Sequence, residues 1–225
     1  MPAATITNLD MNPYTLNYTV TPTANGCSGT TGLYTITVYP PPTIFFSTVN
    51  QTICSGQNTN VVNISSPTQG VTINWSVQGA IPAGIGNVNV ISGTNFIPTY
   101  QNVINSTNAP ITIGFTAFAV SQGPIQCPGS PGTYLITINP LPSVFAGNNQ
   151  TVCNGSQVTL TASGATTYLW NNGVQNGVPF TPNTTQTYIV TGTNANGCQN
   201  YDTVVVTVNN PSSSTIDSVA SAPIS

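Results

Sequence analysis

The chain repeats itself. Cys27-Ser28-Gly29 through Tyr34-Thr35-Ile36-Thr37-Val38 returns 100 residues later as Cys127-Pro128-Gly129 through Tyr134-Leu135-Ile136-Thr137-Ile138. Gly32 and Gly132, Pro40 and Pro140, and Pro42 and Pro142 keep the same spacing. A second register, offset by 99, links Gln51-Thr52-Ile53-Cys54-Ser55-Gly56 to Gln150-Thr151-Val152-Cys153-Asn154-Gly155. Self-similarity of this kind means supersecondary units built alike and set in tandem. A block of the second kind opens a unit, which runs through Trp75 or Trp170 toward a closing cysteine, Cys127 or Cys198. These registers divide the chain into residues 1–40, the closing half of an incomplete unit; 41–141, a complete long unit; 142–209, a shorter complete unit; and 210–225, a linker or the start of a further unit. Pro40-Pro41-Pro42 and Pro140-Leu141-Pro142 mark the joints, where proline removes backbone donors and favours an extended, semi-rigid path. The expectation is an extended array.

Within each unit the apolar residues alternate. Ile73, Trp75 and Val77 interleave with Thr72, Asn74 and Ser76, giving one face for a core and one for water. Ile111 to Val120, Tyr134 to Ile138, Val158 to Ala162, Thr187 to Thr191 and Thr203 to Val208 read the same way, and no stretch carries a helical period. Short strands broken by Gly, Pro and Asn turns imply an all-β fold of tandem Greek-key β-sandwiches. Both tryptophans sit at core-type positions near the cysteines. The Thr203 to Val208 strand is expected to be an uncovered edge, a hazard in a chain with so little charge.

Charge excludes more than it suggests. There is no Lys, Arg, His or Glu, and Asp10, Asp202 and Asp217 are the three acids. General acid/base chemistry lacks its usual carriers, and the Ser and Thr hydroxyls lack a base to activate them. No catalytic residue, cofactor site or metal site is expected, and the chain is not read as an enzyme. Without cations it cannot neutralise a phosphate backbone or an anionic membrane, and no apolar run is long enough to span a bilayer. Calcium is not expected either, since a tight site takes several carboxylates and no two acids are neighbours in sequence.

Five cysteines without a histidine point to disulfides, and so to an oxidising, extracellular setting. Four cysteines allow three connectivities, among which the sequence does not choose. Pairing opening with closing cysteine inside each unit gives Cys54 with Cys127 and Cys153 with Cys198, and treats both units alike. Cys27 is left unpaired, its partner belonging to an opening half outside these residues. A bridge closing loops of this length contributes roughly 4 kcal/mol in the chain-entropy model.

The run Ala146-Gly147-Asn148-Asn149-Gln150-Thr151-Val152-Cys153-Asn154-Gly155-Ser156 is followed by Val158-Thr159-Leu160-Thr161-Ala162, Tyr168-Leu169-Trp170, Thr187-Tyr188-Ile189-Val190-Thr191 and Asn196-Gly197-Cys198. Together they resemble the immunoglobulin-like and PKD-like repeats of giant Bacteroidota cell-surface adhesins. Residues 51–142, with Ile53-Cys54-Ser55-Gly56 and Cys127-Pro128-Gly129, look like the longer PKD-like variety. The resemblance implies a surface filament of the gliding-motility type, exported by type IX secretion. It also implies a modification signal, because Asp202-Thr203-Val204 and Asp217-Ser218-Val219 look like the Asp, Ser/Thr, aliphatic pattern for O-glycosylation in that phylum, placing glycans on Thr203 and Ser218. Asn63, Asn105 and Asn183 fit the N-glycosylation pattern.

The expected function is therefore structural and adhesive: a spacer or surface-contact stalk whose partners are neighbouring repeats, with surface glycans or secretion machinery as further candidates. One alternative is a carbohydrate-binding module using exposed Tyr, Trp and Asn. Another is a filament subunit in which Ser212 to Ile224 adds as a strand to residues 1–40 of another copy.

Overall fold

The computed structural model describes residues 5–121 and 126–211. It divides into two compact units, Met1–Pro140 and Leu141–Ser225. Among the described residues the regular structure is all β, apart from a single 3-10 turn at Asn171–Gly173.

The first unit begins with a ribbon. Strand β1 (Tyr14–Val20) pairs antiparallel with β4 (Gly32–Val38), Tyr18 opposite Tyr34. Between them β2 (Thr23–Ala24) and β3 (Cys27–Ser28) form a tight hairpin around Asn25-Gly26, both at positive φ. Two such residues match the right-handed twist of the flanking strands, which is why Asn-Gly sits there.

The sandwich follows. Its strands are β5 (Phe45–Phe46), β6 (Gln51–Cys54), β7 (Val62–Ser65), β8 (Val71–Val77), β9 (Ile85–Gly86), β10 (Ser92–Thr94), β11 (Phe96–Ile97), β12 (Ile104–Asn105), β13 (Ile111–Ser121) and β14 (Gly132–Asn139). A five-stranded sheet, β10-β8-β13-β14-β6, and a three-stranded sheet, β11-β7-β5, contribute the residues of one core; β9 and β12 pair separately. Ile73, Trp75 and Val77 of β8, Ile113, Phe115, Ala117 and Ala119 of β13, and Tyr134, Ile136 and Ile138 of β14 are buried with Val62 and Ile64 of β7. Alternation in the sequence has become one dry face per strand. No residue of the β1/β4 ribbon belongs to this core.

The second unit is smaller. Strands β15 (Gln150–Cys153), β16 (Thr167–Trp170), β17 (Gln186–Thr193) and β18 (Gln199–Asn209) form one sheet in the order β15-β18-β17-β16. The segment expected to be a strand at Val158 to Ala162 keeps the alternation, with Val158, Leu160 and Ala162 buried, but joins no ladder. Its backbone groups find other partners: Val158 and Phe180 exchange two hydrogen bonds, Gly177 N donates to Leu160 O, and Ala162 N donates to Asn176 Oδ1. Strand β18 lies between β15 and β17 in strand order, Thr203 to Val206 pairing with β17 and Val206 to Val208 with β15, so the segment is paired along its length on one side or the other rather than left as an uncovered edge. In both units the opening strand runs parallel to the closing one, β6 with β14 and β15 with β18.

Candidate functional site

The cysteines define two ends of each unit. Every closing cysteine lies in the connection between two antiparallel strands: Cys27 between β1 and β4, Cys127 between β13 and β14, Cys198 between β17 and β18. Local hydrogen bonds fix these connections. Ser121 N donates to Cys127 O while Cys127 N donates to Ser121 Oγ, and Asn194 Oδ1 accepts from the backbone N–H of Cys198. The opening cysteines sit at the far ends of the closing strands, Cys54 opposite Asn139 and Cys153 opposite Asn209. Gly56 and Gly155 follow at φ of +87° and +85°, left-handed turns that explain the shared Cys-x-Gly pattern.

This arrangement overturns the within-unit pairings. Cys127 precedes the start of β14 and Cys54 stands opposite its end, eight residues of strand away, which at ~3.3 Å per residue is roughly 23 Å. Cys198 precedes β18 and Cys153 stands opposite its last residue, across 11 residues, roughly 33 Å. A disulfide needs Cα atoms within about 7 Å. Cys127 and Cys153 are accordingly free thiols, as is Cys27, whereas Cys54 and Cys198 are disulfide-bonded. Cys27 and Cys153 are exposed and Cys127 is half-buried.

The tryptophans lie in the two cores. Trp75 meets Phe115 edge-on with ring centroids 5.8 Å apart, and Gly93 packs so close that a Cβ there would lie 3.0 Å from the indole. Its indole N–H has no acceptor, whereas Trp170 Nε1 donates to Asn176 Oδ1 at 3.1 Å. Neither ring can serve as a sugar platform; the exposed aromatics are Tyr14, Tyr18, Tyr34, Phe45, Phe96, Phe118, Phe145 and Tyr201. An open groove of about 560 Å³ runs along Asn87, Val88, Asn89, Thr99, Tyr100 and Gln101. The Tyr100 hydroxyl at its wall donates to Val90 O, and burial pushes its pKa up to about 12.

Asp202 is tied to the fold. Its Oδ2 accepts from the Ala146 backbone N–H at 2.8 Å, and that bond, with one from Thr203 N–H, holds its carboxyl below the usual carboxylate range. Thr203 is exposed in β18, opposite Ile189 of β17. Ser218 lies outside the described residues. Asn63 and Asn183 are exposed, but Asn105 is buried, its amide donating to Ala109 O and Ile138 O, which makes it a structural clamp rather than a glycan acceptor. Among the described residues no three His, Cys, Asp or Glu side chains gather to hold a metal, and no helix is long and apolar enough to cross a membrane.

No family model and no curated protein matches the chain. Solved structures with a similar arrangement include the insect immune protein hemolin, 14% identical over 86% of this chain and 56% of its own, with a TM-score of 0.36. They also include the N-terminal Ig1-2 module of the Drosophila receptor protein tyrosine phosphatase DLAR, 14% identical, covering 75% of this chain and 99% of that one, TM-score 0.26. Cadherin domains 3–6 of protocadherin gamma B2 are 12% identical over 88% and 57%, TM-score 0.30. The chain thus spans about half the length of the hemolin and protocadherin chains. The fold is all-β, of immunoglobulin-like sandwich type.

Proposed function

We propose that this chain is a non-enzymatic segment of a secreted bacterial surface array, a stalk of tandem repeats (1–40, 41–141 and 142–209, with 210–225 leading on) that spaces or supports adhesive contact. The observation that carries this is the recurrence of one hairpin: β1/β4 and β13/β14 share register, with Tyr18 opposite Tyr34 and Phe115 opposite Tyr134, the paired tyrosines 100 residues apart. A chain that repeats its structural unit, and carries no cation and three acids, suits length and surface contact better than turnover. The resemblance to gliding-motility adhesins supports type IX export and neighbouring repeats as partners, with glycans at exposed Thr203 and at Ser218. The absence of Lys and Arg leaves no trypsin site, an advantage outside a cell. Antibodies to the chain should label intact cells of the producing bacterium, and beads coated with it should adhere to the surface those cells colonise. Labelling only after permeabilisation overturns the reading.

A specific observation also favours assembly by complementation. The β1/β4 ribbon presents Tyr14, Leu16, Tyr18 and Val20 together with Tyr34, Ile36 and Val38 on one face, yet Tyr14, Tyr18, Val20 and Tyr34 are exposed. The opening half of a like repeat is what covers the equivalent face of β13/β14. Concentration-dependent dimerisation abolished by Leu16→Asp would favour this second reading; a monomer at all concentrations would remove it.

A further inference from the structure

The ribbon and the complete long repeat agree well beyond their hairpins. By register, β1 stands 97 residues before β13 and β4 stands 100 residues before β14. Asn8 therefore corresponds to Asn105, and the two make the same bonds. Asn105 Nδ2 donates to Ala109 O and Ile138 O while its Oδ1 accepts from Thr107 N. Asn8 Nδ2 donates to Asn12 O and Val38 O while its Oδ1 accepts from Asp10 N. Both asparagines are buried. Residues 6–12 with the ribbon thus reproduce the closing half of a repeat down to its side-chain clamp.

Both complete repeats add an opening strand to that half, and add it alike. Asn50-Gln51-Thr52-Ile53-Cys54-Ser55-Gly56 and Asn149-Gln150-Thr151-Val152-Cys153-Asn154-Gly155 share one pattern. Asn50 Oδ1 accepts from Leu135 N at 2.9 Å, and Asn149 Oδ1 from Val205 N at 2.8 Å. The next four residues pair in parallel with the closing strand, after which Ser55 N donates to Asn139 O and Asn154 N to Asn209 O. In the long repeat the turn also reaches the clamp, Asn105 N donating to Ser55 Oγ and Gly56 N to Val103 O. The matching places on the ribbon are open. Among the described residues β4 pairs with β1 alone. Where the turn would sit, there is a cavity of about 300 Å³ lined by Ile6, Asn8, Tyr14 and Val38 among others. Ile6 is 40% exposed, whereas its counterpart Val103 is 0% exposed.

Resting on the repeat reading above, we propose that the outer edge of β4 and this cavity form a receptor for a strand of the pattern Asn-Gln-Thr-Ile/Val-Cys-Ser/Asn-Gly, the opening strand of a repeat of this design. The strand enters parallel to β4, its Gln opposite Ile36, its Thr opposite Thr37, its aliphatic residue opposite Val38 and its Cys opposite Tyr39. Its Asn accepts from Thr35 N, and its last two residues turn into the cavity beside Asn8. Main-chain bonds along an open edge supply the affinity, and the two side chains that flank them set the register. This names the partner of the ribbon by sequence. Pro211 to Ser225, the other strand donor considered, contains no Asn, Gln, Cys or Gly and does not carry the pattern.

The full chain and added peptides test this. A peptide of residues 45–66, with Cys54→Ser so that no thiol exchange intervenes, should bind the chain. Hydrogen exchange should then slow at Thr35, Thr37 and Tyr39, the amides on the outer edge of β4. Asn50→Ala in that peptide should weaken binding about fivefold, through the lost bond to Thr35 N. Thr37→Pro in the chain removes an outward N–H that the ribbon itself does not use, and should weaken binding at least about tenfold. A scrambled peptide and a peptide of residues 211–225 should give no protection. Protection by either of these overturns the proposal, as does protection that falls elsewhere than on β4. So does binding that Asn50→Ala leaves unchanged, or no binding of the 45–66 peptide at all. Surface labelling of cells does not depend on an open strand edge, so this proposal and the stalk reading can fail separately.

Discussion

The β1/β4 ribbon and the β13/β14 hairpin are nearly the same object in sequence and register, yet one is wet and the other dry. Tyr34 and Tyr18 are 62% and 39% exposed, while their counterparts Tyr134 and Phe115 are 1% and 0% exposed. Strand β14 is flanked by β6 and β13, and the opening half of its repeat, β5 to β11, fills the space across from it; the ribbon pairs only with itself. Alternation prepares a face for burial, and what lies opposite decides whether burial happens. A two-stranded hairpin alone is marginal in water, which makes the ribbon the weakest part of the first unit.

The largest expected effect separates the two hairpins directly. Phe115→Ala empties a site lined by Trp75 and Tyr100 and should cost about 3–5 kcal/mol in chemical denaturation. Tyr18→Ala at the matching position should cost under about 1 kcal/mol, because the side chain is partly in water and belongs to no core. Equal losses would erase the distinction. Hydrogen exchange should agree, with β1/β4 amides exchanging well before those of β13/β14.

The next effect extends the contrast to the tryptophans of the two units. Trp170→Phe breaks an indole bond to Asn176, whose Oδ1 also accepts from Ala162 N, whereas Trp75→Phe removes an N–H that has no acceptor. Trp170→Phe should therefore cost about 1 kcal/mol more than Trp75→Phe in thermal unfolding. The reverse order would mean that ring packing outweighs hydrogen bonding at both sites.

The smallest effect is that of pH. Asp202 is the acid among the described residues whose pKa is lowered by the fold, so its contribution is complete above the ordinary carboxylate value of about 3.9 and is lost as pH falls through the lower folded value. With no His in the chain, Tm should be flat between about pH 5 and 8 and decline only in strong acid. Asp202→Asn should flatten that decline in the second unit and leave the β13/β14 sandwich untouched.

Much of this protein is legible in its sequence. The 100-residue register located the hairpins because a repeated fold repeats its turns, and alternation marked Trp75, Tyr134 and Ile136 as inward because a strand's side chains change face at every residue. Alternation at Val158 to Ala162 was right about burial and wrong about pairing, since burial pattern says nothing about which backbone groups will be opposite. The Thr203 to Val208 strand shows the same limit: its residues alternate whether it lies at the edge or inside the sheet. Above all, pairing opening with closing cysteine treats both units alike, but likeness between repeats says nothing about the distance between the two sulfurs in either. A strand of 8 to 11 residues is a rigid spacer several times longer than a disulfide, so the tertiary structure put the two sulfurs of each repeat at opposite ends.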